Sequence, residues 1–219
     1  MRAGAITSKS LTVRATPSLS TKWLLPRLGR FLDANPDVDV RVDATNEPTD
    51  FSREGVDVDI RHGEGNWPGL FVEGIAEERF LPACAPALCA PAALEPSDLL
   101  NYRLIHSVKS QMQWGRWFVA AGVTAAPAWR RVLFDRSHMA IDAAANGIGI
   151  ALESDLMMWR ELRGGVLVCP LRHPPPASRV TQWLVCPHDR LRRRQVRAFL
   201  DWVRAERDAW IAARDGLPE

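Results

Sequence analysis

LTVRATPSLSTKWLLPRLGRFLDANPDVDVRV, residues 11–42, changes its hydrophobic period twice. Leu11, Val13 and Ala15 alternate with Thr12, Arg14 and Thr16, which is the pattern of a strand. Pro17 ends that strand, and Ser18, Ser20 and Thr21 supply hydroxyls suited to capping a helix N-terminus. Leu24, Leu28, Phe31 and Leu32 follow at helical spacing, so one face of the segment is apolar. Asn35-Pro36 stops the helix, because a residue before proline is pushed out of the helical region. Val38, Val40 and Val42 then alternate again. Strand, helix and strand in this compass predict a right-handed βαβ unit with parallel strands. Sheets of this kind bind ligands at the carboxyl ends of their strands, where helix N-termini turn amide hydrogens outward. Thr16, Pro17 and Ser18 occupy that edge. Pro26 conflicts with a helix starting at Ser18, since a proline inside a helix kinks it.

Downstream, residues 44–52 read as a polar loop and a short helical turn. Val56, Val58 and Ile60 alternate with Asp57, Asp59 and Arg61 in a third strand ending at Arg61-His62-Gly63. GEGNWPGL behind it is a loop at the same edge. Phe80 to Cys84 is a short apolar strand with Pro82 inside it, which predicts an edge strand or a crossing between sheets. From Pro86 the alternation restarts: a short helix closed by Leu99 and Leu100, a strand LIHS (104–107), a helix 113–122 stopped by Gly122, a strand VLF (132–134), a helix 139–147 and a strand 148–152. Pro174-Pro175-Pro176 is a stiff spacer, Val180 to Val185 a returning strand, and Arg190 to Trp210 a final helix. The simplest assembly is one α/β lobe interrupted by another, with two crossing strands and a cleft between the lobes.

A chain of 219 residues can bury a core as one large domain or two small ones. Its 47% hydrophobic and 25% charged residues fit a globular protein, and a net charge of +2 argues neither for nor against nucleic acid. No apolar run reaches the roughly 18 residues of a membrane helix, and MRAGAITSKS lacks the apolar core of a secretory signal. The cytoplasm is therefore the expected location. Cys84, Cys89, Cys169 and Cys186 lack CxxC spacing, so neither a disulfide framework nor a zinc site is expected. Most of the nine tryptophans sit in amphipathic segments, which points to core packing or partner contact.

In six pieces in register, TPSLSTKWLLPRLGRF, GVDVDIRHGEGNWPGL, ERFLPACAPAL, DLLNYRLIHS, WGRWFVAAGV and AAANGIGIAL, the chain resembles the effector-binding domain of LysR-type transcriptional regulators. The likeness is to the branch of the glycine-cleavage and β-lactamase regulators and runs from Leu11 to about Arg207. It implies an α/β fold of two Rossmann-like lobes joined by two crossover strands, like type 2 periplasmic binding proteins. Residues 1–10 are then a linker end or loose start, 11–82 with 186–211 the first lobe, and 83–185 the second. Complete regulators carry a winged helix-turn-helix and a linker helix ahead of this domain. Those are absent from the sequence, so an excised or truncated chain is expected, one that does not bind operator DNA by itself.

The resemblance implies effector binding in the inter-lobe cleft at the helix N-terminus, with Thr16, Ser18 and Ser20 acting beyond their capping role. Arg61 and His62 end a strand at the same edge, and arginine suits a two-pronged grip on a carboxylate. Ser107 and Lys109 follow LIHS; Asp135, Arg136 and Ser137 follow VLF, with Ser137 the natural N-cap of the next helix. Asp135 can meet an ammonium group or simply pair with Arg136. Arg136 stands where relatives more often have a small polar residue, so their effector chemistry is not expected to transfer unchanged. The basic run DRLRRRQVR (189–197) reads as a solvated helix face rather than a DNA contact.

The function expected is effector sensing and dimerisation: binding of a small carboxylate-bearing metabolite controls transcription, with no cofactor, metal or membrane involved. A stand-alone cytoplasmic binding protein of the same fold is the alternative. An enzyme on this scaffold, such as a dehydratase, needs an acid and a base facing each other, and no such pair stands out. Relatives imply a two-fold homodimer that sets helix 22–33 and strand 38–42 of one chain against helix 139–146 of the other. Ala140, Ala143 and Ala144 offer that helix a small-residue face, unless they pack on their own sheet.

Overall fold

The computed structural model describes residues 9–90, 93–123 and 131–215; of the expected linker segment 1–10, residues 1–8 lie outside them. Two compact units form, one running to Ala76 and resuming at Val180, the other spanning Glu77–Arg179.

The first unit opens with β1 (Lys9–Ala15). A helical run follows, made of α1 (Pro17–Leu19), a π-helical turn (Ser20–Leu24) and α2 (Leu25–Ala34). Then come β2 (Val38–Ala44), β3 (Val58–His62) and β4 (Phe71–Gly74). β5 (Glu77–Ala83) opens the second unit, followed by β6 (Leu104–Ser107), α3 (Trp114–Ala120), β7 (Arg131–Phe134) and α4 (Ser137–Ala145). β8 (Ile150–Ser154), α5 (Trp159–Arg163) and β9 (Ser178–Val180) end it. β10 (Gln182–Cys186) and α6 (Arg194–Asp215) belong to the first unit again.

β1 pairs in parallel with β2 along its length and with β3 on its other side, so the expected βαβ unit is present. The first sheet has the order β2-β1-β3-β10-β4, with β10 antiparallel to both neighbours. Leu11, Val13 and Ala15 are wholly buried because β1 lies inside the sheet. The helical run covers them with Leu19, Trp23, Leu24 and Phe31, all at zero exposure. α6 packs alongside: Phe31 meets Phe199 edge-on with ring centres 5.5 Å apart, a favoured aromatic geometry.

Pro26 does not end the helix. The turn before it is widened, and Leu25 donates its N–H to the Ser20 carbonyl five residues back. Proline lacks a donor and crowds the carbonyl four residues earlier; one π turn accommodates both defects. The helix therefore starts at Pro17 as the capping residues suggest.

The second sheet has the order β7-β6-β8-β5-β9, parallel among β7, β6 and β8 and antiparallel between β5 and β8. Trp114, Trp117 and Phe118 fill its core, and the Trp114 indole donates to the Ile105 carbonyl at 2.9 Å. β5 is an interior strand of the second sheet, between β8 and β9, and not an edge strand. Phe80 donates to the Ala177 carbonyl; Pro82, two residues on, turns its missing donor to that same side and spares the ladder with β8.

The divisions expected after Pro82 and Val185 fall inside β5 and β10. The observed ones lie at Ala76 and Arg179, because β5 pairs with β8 and β10 pairs with β3 and β4. The strand expected from Ile148 starts at Ile150, since Gly147 still has φ +73°. β4 and α5 were not expected. In α4, Ala140, Ala143 and Ala144 are 1%, 6% and 0% exposed and pack within their own unit. They are thus not the face offered to a partner; Met139, Asp142 and Asn146 point outward instead.

Candidate functional site

In the first unit, the expected residues lie at the carboxyl ends of β1 and β3. Thr16 caps the helical run, its Oγ1 accepting the Leu19 N–H at 3.3 Å. Thr21, also read as a possible cap, instead donates its hydroxyl to the Pro17 carbonyl. Ser18 and Ser20 are buried in the first turns. Ser20 Oγ is a buried atom with no hydrogen-bond partner among the described residues. Leaving such a group unmet costs about 1–3 kcal/mol.

Arg61, expected as an open carboxylate clamp, is held inside the protein. Its Nε donates to Asp59 at 2.7 Å and its Nη2 to the Thr49 carbonyl at 2.8 Å. Its guanidinium also stacks over Phe51 and Trp67. Asp59 is buried and additionally accepts the Thr49 hydroxyl at 2.6 Å. Burial pushes its carboxyl above the usual range, while the bonds from Thr49 and Arg61 pull the other way. His62 Nδ1 accepts from Gln182 Nε2 at 3.1 Å, which places the ring proton on Nε2 when the amide is oriented so.

In the second unit, Ser107 ends β6 and Ser137 opens α4. The N-cap position falls to Arg136, whose extended backbone (φ −136°, ψ 133°) precedes the helix and whose side chain makes no capping bond. Ser137 thereby sits inside the first turn, and its Oγ lies 3.2 Å from Ser107 Oγ. Both hydroxyls hydrogen-bond Glu153 on β8. Ser107 and Glu153 belong together by register: Leu104 faces Ile150 and Ile105 faces Ala151 on the adjacent parallel strand. Glu153 is 2% exposed. Burial, aided by the charge of Glu78, pushes its carboxyl up to about 8, against the opposing hydroxyl bonds. Its Oε1 has no hydrogen-bond partner among the described residues.

Lys109 and Asp135 remain at the surface, and Arg136 Nη1 bonds Asp135 Oδ2 at 2.6 Å. Of the five residues expected from this unit, the structure thus draws Ser107 and Ser137 into one cluster and leaves the three charged ones outside it. Glu153 escaped the sequence reading, although a glutamate inside the apolar strand IALES is a signal of a buried polar role. The basic run 189–197 also has partners: Arg193 bonds Asp57 at 2.7 Å and Arg194 bonds Asp37 at 2.9 Å.

Two mixed α/β sheets on a chain that crosses twice, with polar side chains at the strand ends, define a periplasmic-binding-protein-like effector domain. The profile of the LysR substrate binding domain matches residues 5–208. The chain belongs to this family. It is 41% identical over 198 residues to an uncharacterized HTH-type transcriptional regulator, y4mQ, of Sinorhizobium fredii, covering 90% of this chain and 66% of that protein. It is 35% identical over 199 residues to the glycine cleavage system transcriptional activator of Escherichia coli, covering 90% and 65%. The chain therefore spans about two thirds of the length of these curated relatives. The effector domain of the transcriptional regulator AmpR of Pseudomonas aeruginosa superposes with a TM-score of 0.76 at 31% identity, covering 94% of this chain and 99% of that one. All three carry the name of a transcriptional regulator or activator.

Proposed function

We propose that this chain is the effector-sensing part of a cytoplasmic LysR-type transcriptional regulator and binds a small carboxylate-bearing metabolite. The candidate ligand groups are Thr16, Ser18, Ser20 and His62 in the first unit and, taken separately, Ser107, Ser137 and Glu153 in the second. Lys109 and Arg136 add positive charge at the second unit's strand ends, while Arg61 shapes the first group through Asp59. The observation that carries this reading is a pair of buried polar atoms without hydrogen-bond partners, Ser20 Oγ and Glu153 Oε1, each near a helix start. Helix N-termini favour anionic groups by roughly 0.3–1 kcal/mol before any hydrogen bond is counted. Ligand binding that differs between conformations then biases the regulator. The names of the relatives, transcriptional activators and regulators, support the regulatory half of the proposal.

Isothermal titration of this chain against amino acids, aromatic acids and neutral sugars tests it. Carboxylates alone should bind, and Ser20→Ala and Ser107→Ala should each weaken binding. Preference for an uncharged ligand, or unchanged affinity in both variants, overturns it.

We further propose a two-fold homodimer using helix 22–33, strand 38–42 and helix 139–146. Leu25, Leu32 and Met139 are exposed at 55%, 40% and 41%, a large apolar exposure on these helices.

A further inference from the structure

Cys84 directly follows β5 and exchanges main-chain hydrogen bonds with Val168, at 3.1 and 2.9 Å. The next residues turn back at once, with Leu88 donating to the Ala85 carbonyl at 2.9 Å. That turn returns Cys89 onto Cys84, and the two sulfurs stand 2.8 Å apart as free thiols. The distance lies well inside the contact separation of unbonded sulfurs. Both side chains belong to the apolar cluster of the second unit, beside Phe80, Leu99 and Leu104. Closing the gap between the two sulfurs to the roughly 2.05 Å of a disulfide needs only a small sulfur displacement.

We propose that Cys84 and Cys89 form a reversible disulfide, a modification site for peroxides. Cys89 is 9% exposed and Cys84 0%, so oxidant meets Cys89 first. The Cys89 thiolate attacks one oxygen of hydrogen peroxide: an S–O bond forms, the O–O bond breaks, and the departing hydroxide leaves as water with the thiol proton. Cys84 then attacks the resulting sulfenic sulfur. The S–S bond forms, the S–O bond breaks, and a second water carries off the Cys84 proton. Two thiols lose two electrons and two protons, and one peroxide becomes two waters. Burial and the neighbouring Cys89 raise the Cys84 thiol above its usual range, so Cys84 is not the thiol that meets peroxide first. Cys169, also raised by burial and influenced by Cys89, is the competing thiol. The bond fixes the turn 85–88 against the core where β5 ends.

Peptide mapping tests this on the intact chain. Trypsin releases Cys84 and Cys89 together in one peptide, 80–103, Cys169 in 164–172 and Cys186 in 180–190. After hydrogen peroxide, unfolding and N-ethylmaleimide, peptide 80–103 should be two hydrogens lighter and carry no maleimide. Dithiothreitol before alkylation should restore two maleimides, and Cys169→Ser should leave the result unchanged. The oxidised chain should also melt a few degrees above the reduced one. Two maleimides on peptide 80–103 after peroxide, a cross-link from it to 164–172, or irreversible sulfonic acid would each overturn the proposal.

Discussion

The hydroxyls of Ser107 and Ser137 stand 3.2 Å apart across thirty residues of sequence, and both reach the buried carboxyl of Glu153. Burial, against the pull of those hydroxyl bonds, keeps Glu153 proton-bound in the folded chain at neutral pH, whereas it is ionised in the unfolded one. Its pKa is raised from 4.5 to about 8, so stability falls as pH rises between those values, by about 1.4 kcal/mol per unit, and no further above them. Glu153→Gln should remove this slope. Urea unfolding should find variant and parent alike at pH 4.5 and the variant clearly more stable at a pH of about 8; parallel curves would contradict the assignment.

Arg61→Ala strands a buried carboxylate. With side-chain exposures of 13% for Arg61 and 5% for Asp59, the loss should be about 3–5 kcal/mol. Adding Asp59→Asn should recover part of that, because the uncompensated charge disappears. A double variant no better than the single one argues that the stacking on Phe51 and Trp67 matters more than the ion pair.

Gly149→Ala should destabilise by more than about 2 kcal/mol. A Cβ there meets the Arg103 carbonyl oxygen at 2.3 Å, and that oxygen accepts the Ile150 N–H that starts β8. Gly122→Ala is the control: nothing crowds its Cβ, and only φ +71° opposes it, a cost of about 1–2 kcal/mol. Thermal melts of the two variants should differ accordingly.

Light scattering of the unmodified domain should give the mass of two chains at tens of micromolar. Met139→Arg should move it to one chain with circular dichroism unchanged. A single-chain mass for the parent would end the dimer proposal.

The βαβ opening was legible because β1 and β2 alternate cleanly and the helix between them has one apolar face. β4 and α5 were not: FVEG is half-buried throughout, and WRELR offers barely one helical turn. Alternation also marked β3 without revealing its surroundings, since Asp57 and Asp59, the polar members of that alternation, are 4% and 3% exposed. The partner of Arg61 was nonetheless in reach. Residues two apart on a strand share a face, and Asp59 is two before it. Glu153 was hidden for a different reason: its partners arrive from β6 and from α4, and no local pattern announces them. The spacing of Ala140, Ala143 and Ala144 marked one face of α4 but not which way it turned.

β10 lies between β3 and β4, with Trp183 donating its indole N–H to the Gly63 carbonyl 120 residues earlier. On the ribosome this order has a cost. The contiguous second unit can finish its sheet while β3 and β4 still wait for the strand that separates them. Until Gln182–Cys186 emerge, one side of β3 is an unpaired row of donors and acceptors, open to any passing strand. Nascent chains halted before Gln182 should thus pair a folded second unit with a sticky, half-built first sheet.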